Sequence, residues 1–440
     1  MQLPILQWSA LSAAERHDAL LRPAQADTEA LNAKVREIIA DVRRRGDTAL
    51  FEYTRRFDGA ALQSLEVSAA EFAASETALT TQQRLALGRA IDNVRRFHEA
   101  QLADPISMQV SPGVTCERQY RAIDAVGLYV PAGVAPLPSA AIMLAVPARI
   151  AGCTTRIICT PPRRDGTADP AVLTVANLCG VKRVFKVGGA QAIAAMAYGT
   201  DSIPKVDKVF GPGSSWVTAA KLQVSNDPHG AALDLPAGPS EVLVIADSSA
   251  SAEFVAADLL AQAEHSDDAQ VVLVTTDLAL ARATVEELGR QLQKLSRADT
   301  VRESIKHSRI FVVDSLDAAF DLSNAYAPEH LIVQVANARS WLPKVRNAGS
   351  VFLGTWTPET MGDYCSGTNH VLPTYGFARA YSGLSMTDFM KRMTVQELTA
   401  EGLRDLGPTA IAIAELEGLG AHANAVKVRL DRLNADGAAV

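Results

Sequence analysis

The sequence predicts an α/β protein with two parallel-sheet domains, and three observations carry that expectation. From about Ala125 onward, short β-rich runs alternate with Ala-rich helical stretches. Several of these runs are apolar almost throughout, as strands covered on both faces should be. A Pro/Gly-rich joint, Pro236-Ala-Gly-Pro239, splits the alternation into two sets.

Taken in order, the first ~100 residues read as helices. Asp27 or Thr28 can cap a helix that ends near Gly46. Ser68-Ala-Ala-Glu71 and Thr80-Thr-Gln-Gln83 have the spacing at which a cap hydroxyl and a Glu or Gln side chain satisfy each other's free backbone amides. The first set of strands is expected at 126–130, 156–159, 183–187 and 208–210. The second is expected at 241–246, 270–275, 309–313, 331–335 and 350–353, with helices between. After about Ser385 the pattern is helical again. The expected organisation is a helical arm (1–27), a discontinuous first α/β domain (28–128 and 240–384), a second α/β domain inserted at 129–239, and a helical tail (385–440).

A length of 440 residues suits two or three domains, and 48% hydrophobic with 21% charged residues excludes wholesale disorder. A net charge of -7 offers no basic excess for nonspecific nucleic-acid binding. The clusters Arg43-Arg44-Arg45 and Arg55-Arg56 read as solvated helix faces. Five scattered cysteines (Cys116, Cys153, Cys159, Cys179, Cys365) form no CxxC pair, so no disulfide framework is expected, and a reducing compartment is. The N-terminus has no basic region followed by a long apolar stretch. The most apolar run, from Ala140 to Val146, ends at Pro147 and falls far short of the ~20 residues of a membrane span. A cytoplasmic protein that binds neither membrane nor nucleic acid is expected.

Chemistry concentrates in 361–374, which has no period of two or 3.6 and so belongs to irregular backbone. It carries Asp363, Cys365, Ser366, Asn369 and His370 around Gly362 and Gly367, on the kind of segment where function sits if a rigid scaffold holds it. Gln262 and His265 close a predicted helix three residues apart, on one face, where such a pair can grip a metal or simply be solvated. Zinc needs about four N, O or S ligands; Asp363 could supply a third and His422, in Glu417-Gly-Leu-Gly-Ala-His422, a fourth. Ala327-Pro-Glu-His330 stands at a strand mouth, as a proton-transfer pair or as a cap and a core-edge histidine. The turns at Gly188 and Gly211 follow strands and open helices. Neither completes GxGxxG, so they are either pyrophosphate cradles or tight βα turns.

With these residues assembled, the chain resembles the histidinol dehydrogenase family over nearly its whole length. The motifs are Gly127-Leu-Tyr-Val-Pro131, Val187-Gly-Gly-Ala-Gln-Ala-Ile-Ala194, Ala237-Gly-Pro-Ser-Glu241, Ala261-Gln-Ala-Glu-His265, Ala327-Pro-Glu-His-Leu331, Gly362-Asp-Tyr, Ser366-Gly-Thr-Asn-His-Val-Leu-Pro373 and Glu417…His422. The resemblance implies two incomplete Rossmann-like domains in an intertwined homodimer. It also implies oxidation of L-histidinol to L-histidine through L-histidinaldehyde, with two NAD and one zinc ion per site. By the same resemblance, Gln262, His265, Asp363 and His422 hold zinc, and Glu329 and His330 are the catalytic pair. Substrate contacts fall on Ser240, His370 and Glu417 as well as on the zinc set and His330, and NAD contacts on Tyr129, Gln191 and Ser214. The chain departs from the family at Ser214, where Asn is usual, and at Ala132, where Gly is frequent.

Three other readings compete. A related zinc- and NAD-dependent alcohol dehydrogenase, for example one acting on a sulfonated diol, would keep the zinc set but not need Glu417 and His370. A zinc hydrolase would use the same ligands without nucleotide turns. A binding protein without catalysis would have no use for Glu329-His330. Cys365 is a further candidate as an aldehyde-oxidising nucleophile, but Asp363 nearby disfavours its thiolate, so it is expected not to act as one.

Overall fold

A computed structural model describes residues 3–23, 28–132, 135–236 and 238–437. In chain order its strands are β1 (Ile5–Gln7), β2 (Ile106–Ser111), β3 (Val114–Ala122), β4 (Ala125–Tyr129), β5 (Thr155–Thr160), β6 (Arg183–Lys186) and β7 (Lys208–Phe210), followed by β8 (Ala232–Leu233), β9 (Glu241–Ala246), β10 (Gln270–Thr275), β11 (Arg309–Val312), β12 (His330–Gln334), β13 (Ser350–Leu353) and β14 (Met390–Leu398). The chain divides into two compact units, one of 1–101 with 123–389 and one of 102–122 with 390–440.

The first unit contains two all-parallel sheets, ordered β1-β11-β10-β9-β12-β13 and β6-β5-β4-β7-β8. Numbered along the chain, β4 to β8 lie in the order 3-2-1-4-5, and so do β9 to β13. This is the dinucleotide-binding order without its sixth strand. The sheets are parallel for the reason legible in their composition: β9, β10 and β12 are buried at every position. Alternate residues serve opposite faces, with Val242, Val244 and Ala246 in one apolar cluster and Leu243 and Ile245 in another. Burial of each such side chain contributes about 1.5–3 kcal/mol.

Helices cover both sheets. The helix Pro138–Ala151 is buried from Ser139 to Ala148, runs on through Pro147, and is closed by Gly152 in the left-handed region. The two capping boxes expected at Ser68/Glu71 and Thr80/Gln83 are formed. Asp27, expected as a possible cap, lies outside the described residues, as does Ala237 in the Pro/Gly joint. Among the described residues no helix is long and apolar enough to cross a membrane, and all five cysteines are free.

Three segments differ from expectation. The arm is not purely helical, because Ile5–Gln7 adds an edge strand to β11 before the capped helix Ala13–Ala19 begins. Three residues are too few to show a period. The tail starts with β14 instead of a helix, pairing antiparallel with β3 from Met390↔Ala122 to Leu398↔Val114. Most of β14 is exposed, so no alternation marks it, and main-chain pairing supplies its order. Residues 102–122, expected within an α/β domain, form β2 and β3 and cluster with the tail; the helices Ala400–Leu416 and Gly420–Gly437 complete that unit.

The crossover helix Ala252–Ala263 leads from β9 to β10, so its C-terminal end returns to the amino ends of the sheet. Midway along it, Asp258 is buried and accepts a hydrogen bond from Gln334 Nε2 at 2.7 Å. Burial pushes its carboxyl up to about 7, against the smaller pull of Gln334. The native state therefore keeps a proton that the unfolded chain releases near pH 4, and stability falls as pH rises between those values. Asp258→Asn removes this loss. In chelator-treated protein its melting temperature should match the parent's at pH 4 and exceed it at pH 8, by an amount worth on the order of 1–4 kcal/mol. A variant no more stable than its parent at pH 8 would contradict this.

Candidate active site

The amino ends of the central strands β9 and β12 bring the main candidates together. The two strands pair in parallel with His330 opposite Val242, which sets the main chain of Glu241 against Glu329 and His330. Glu241 N–H donates to Glu329 Oε2 at 2.9 Å, and His330 Nδ1 lies 3.3 Å from Glu241 O. Glu329 Oε2 is 3.6 Å from His330 Nδ1, and both side chains are buried. The preceding turn is closed by Ala327 in the left-handed region (φ 55), and its carbonyls are taken up by Gly349 N–H and Ser350 N–H.

A short helix, Glu359–Tyr364, carries Glu359 and Asp363 one turn apart against this pair. The sequence placed Asp363 in irregular backbone, and a helix of six residues is too short to show its period. Gly362 makes the close approach possible, since a Cβ there would stand 2.6 Å from the Phe352 ring. Asp363 Oδ1 lies 3.4 Å from His330 Nε2, without the alignment of a hydrogen bond. Ligand atoms of His330, Glu359 and Asp363 lie within 4.8 Å of one another. His370 Nδ1 is 2.7 Å from the carbonyl of Asp363, which favours a donating Nδ1–H and leaves Nε2 as acceptor.

Gln262 and His265 approach from the end of the crossover helix. The helix stops at Ala263, so His265 lies just beyond it, held by its N–H to Gln262 O and by Nδ1 at 3.1 Å from Ala261 O. His265 is close enough to act electrostatically on Asp363. Gln262 is fully buried, and among the described residues neither its Oε1 nor its Nε2 has a hydrogen-bond partner. The same is true of both Glu359 oxygens and of His330 Nε2. Buried polar atoms without partners call for an explanation, and a bound ligand at the His330–Glu359–Asp363 cluster is one.

The electrostatics point the same way. Burial works to keep His330 neutral, but Glu359, Glu329 and Asp363 together outweigh it and hold the imidazole well above its usual range. Burial, with smaller contributions from Glu241 and Asp363, pushes Glu329 up to about 8 in spite of His330. Glu359 is likewise pushed up to about 8, chiefly by burial. Asp363 is the carboxyl that ionises: burial opposes it, but His330, His370 and His265 together hold it below the usual range. Burial pushes His370 down.

His330, Glu359 and Asp363 form one donor set. The expected set of Gln262, His265 and Asp363 has the carbonyl-type oxygen, imidazole and carboxylate that zinc or another divalent ion accepts, and of its members His265 acts electrostatically on Asp363. Ser240 sits half-buried beside Glu241, its carbonyl accepting from Gln270 N–H. Glu417 and His422 are exposed on the second unit, at the end of one helix and in the first turn of the next. Glu359 went unnoticed in the sequence. Its only signal was a Glu four residues before Asp363 and directly after Pro358.

The nucleotide candidates lie at the carboxyl ends of the five-stranded sheet, where such folds bind ligands. Tyr129 ends β4, and its OH accepts from Gly189 N–H at 3.0 Å; Gln191 follows in the same first turn and is buried. Gly211, after β7, has φ 124, and a Cβ there would collide with Tyr129 O at 2.1 Å. Ser214 is the exposed N-cap of Ser215–Ser225, yet its hydroxyl makes no cap hydrogen bond and stays available.

The orphaned Gln262 amide gives a direct test. Burying an amide without a partner costs about 1–3 kcal/mol. Gln262→Leu should therefore raise the melting temperature of metal-free protein while reducing zinc retained in a chelator competition. A variant that melts lower without metal and retains zinc like the parent would remove Gln262 from the site.

Comparison with known proteins shows the family. The profile of the histidinol dehydrogenase family matches residues 21–430. Histidinol dehydrogenase of Xanthomonas euvesicatoria pv. vesicatoria is 55% identical over 428 residues, covering 97% of this chain and 99% of that protein. The protein of the same name from Vibrio vulnificus is 53% identical over 430 residues, covering 98% and 99%. A crystal structure of histidinol dehydrogenase from Elizabethkingia anophelis superposes with a TM-score of 0.94 at 44% identity, covering 98% of this chain and 99% of that one. The chain belongs to the histidinol dehydrogenase family, NAD-dependent oxidoreductases of histidine biosynthesis.

Proposed function

We propose that the chain oxidises L-histidinol to L-histidine through L-histidinaldehyde at the amino ends of β9 and β12, with Glu329 and His330 as the catalytic pair. The observation that carries this is a buried Glu–His pair beside the Asp363 carboxylate, in a chain whose buried Gln262 amide is left unsatisfied. Gln262, His265, Asp363 and a partner's copy of residue 422 would hold one zinc ion, which when bound supplies positive charge to orient the substrate's imidazole and amine. Tyr129, Gln191 and Ser214 would contact NAD, whose chemistry is to take up one hydride in each of two oxidations.

The chain's own groups move the protons. His330 accepts the hydroxyl proton as the alcohol carbon loses hydride, which requires it to be neutral. In the protein alone the surrounding carboxylates keep it protonated; positive charge beside Asp363 would weaken that hold. The aldehyde must add water before it can lose a second hydride. Glu329, held near neutral range by burial, suits the proton of that water. His370, its Nδ1 engaged by the Asp363 carbonyl and its Nε2 left as the acceptor, together with Ser240 and Glu417, would read the substrate's polar groups. With a water-activating carboxylate available, Cys365 is not needed as a nucleophile.

A second copy of the chain would complete the site in a homodimer. Glu417 and His422 are exposed on their own unit, and Trp356, Met361 and Tyr364 are exposed around the helix bearing Asp363, with Trp356 84% accessible. An apolar surface of this kind beside a site short of one ligand fits a subunit interface.

Purified protein with histidinol should form NADH, lose that activity in chelator and recover it with zinc. No NADH from histidinol, with another polar alcohol oxidised instead, would redirect the assignment. Glu329→Gln should slow aldehyde oxidation more than alcohol oxidation, whereas His330→Asn should slow both, by ~10²–10⁴-fold. Cys365→Ala should leave both steps nearly intact. Equal losses in the two steps for Glu329→Gln would contradict its role. Mixing inactive His422→Ala and inactive Glu329→Ala chains should restore activity, since a hybrid dimer holds one intact site. Verified subunit exchange without recovery would mean that residue 422 serves its own chain.

A further inference from the structure

We infer that Arg22, in the N-terminal arm, and Glu241 form a clamp that positions the Glu329–His330 pair for both oxidation steps; this rests on the catalytic reading of that pair. Glu241 divides its functions between main chain and side chain. The main-chain N–H binds Glu329 Oε2, and the carbonyl faces His330 Nδ1. The side chain reaches none of the reacting groups. Its Oε2 accepts from Arg22 Nε at 2.7 Å, and its Oε1 accepts from Tyr375 N–H at 2.5 Å. Whatever holds the side chain therefore sets the main chain on which the pair rests.

Arg22 also grips the turn that precedes the pair. Its Nη2 donates to Tyr326 O at 2.8 Å and reaches Ala327 O at 3.4 Å, while the guanidinium lies 4.0 Å from the centre of the Tyr326 ring. Tyr326 OH is fixed in turn on Gln270 Oε1 at 2.7 Å, and Gln270 Nε2 donates back to Leu21 O. One guanidinium thus joins the start of β9 to the turn before β12.

Backbone conformation provides independent support. Among the described residues three non-glycine positions have positive φ, and two of them, Ala327 and Tyr375, are held by this clamp. Unfavourable conformations of that kind persist where their surroundings impose them, and they cluster at active sites. The forked donor geometry is also specific to arginine, because a lysine ammonium cannot span a carboxylate and two carbonyls while lying over a ring.

The test uses the zinc-loaded enzyme and three variants, Arg22→Ala, Arg22→Lys and Glu241→Gln. Arg22→Ala should lower kcat for alcohol and aldehyde oxidation alike by ~10–100-fold, the scale for displaced catalytic groups, with KM for histidinol and zinc content near the parent's. Arg22→Lys should recover only part of the loss. Arg22 lines a cleft of about 920 Å³, so added guanidinium should reach the gap and restore turnover to Arg22→Ala but not to Glu241→Gln. Combined with Glu329→Gln, Arg22→Ala should cost much less in aldehyde oxidation than it does alone, because the two act through one group. Unchanged kcat in soluble Arg22→Ala would overturn the clamp, as would a loss that is fully additive with Glu329→Gln and insensitive to guanidinium. If Arg22→Ala does not fold, Arg22→Lys and Glu241→Gln decide, and parental kcat in both overturns it. Full activity of Glu329→Gln and His330→Asn would instead defeat the reading of the pair, whatever Arg22 does.

Discussion

The parallel pairing of β9 with β12 is the constraint on which the site depends. Those strands are adjacent only because the chain reverses direction across the sheet after its third strand, giving the order 3-2-1-4-5. Their register then puts the peptide of Glu241 beside Glu329 and His330. In open α/β sheets such a switch point usually serves a ligand at the carboxyl ends. In the five-stranded sheet the nucleotide candidates Tyr129 and the Gly211 turn stand at those carboxyl ends. In the six-stranded sheet the catalytic candidates gather at the opposite edge. The crossover helix explains how: running back against the strands, it delivers Gln262 and His265 to the amino ends, where the helix Glu359–Tyr364 also lands.

Burying three carboxyl groups around one histidine is expensive, and the cluster meets the cost by suppressing charge. Glu329 and Glu359 are held back from ionising, while Asp363 and His330 form the charged pair. A cluster of carboxyls that keep their protons because of burial can exchange them for a cation, and the two are alternatives electrostatically. A divalent ion beside Asp363 would relieve the field on His330 and lower its proton affinity. An ion held at Asp363 would thus be linked to the protonation of His330, although the two are different groups.

Much of the fold was legible because of how parallel sheets are buried. Strands covered on both faces are mostly apolar, and each run expected as a strand from Val126 onward corresponds to one, whereas the longer apolar run Ala140–Val146 is a buried helix. The strands that escaped notice were those without that signature: β1 and β8, three and two residues long, and β2, β3 and β14 of the antiparallel sheet, of which β2 and β14 are exposed along most of their length. The site shows the same division. Gln262 with His265, and Glu329 with His330, are neighbours along the chain, so their spacing is visible. Glu359, Arg22 and Glu241 become partners only through tertiary folding, and nothing local distinguishes a lone arginine in the arm from a solvated one. His422 could be offered as a ligand only by residue type, and for Glu417 only the resemblance suggested a role, since their own surroundings are those of an exposed helix junction.

The two sheets share a device that neither sequence segment announces. In the six-stranded sheet the Arg22–Glu241 ion pair holds the peptide chain next to the catalytic candidates. In the five-stranded sheet Lys221 and Asp234 form a buried ion pair around Gly211, with Asp234 accepting its N–H at 2.8 Å and Lys221 donating to its carbonyl at 2.9 Å. Taking such pairs out of water costs several kcal/mol per ion, so apolar residues could often replace them without loss of stability. Their value lies in direction. Apolar packing resists compression but is indifferent to rotation of a peptide group, whereas a charged hydrogen bond penalises a peptide that turns away. Each pair fixes one peptide at a strand end, and a site that must present an N–H or carbonyl to a reacting group needs that kind of restraint more than it needs additional stability.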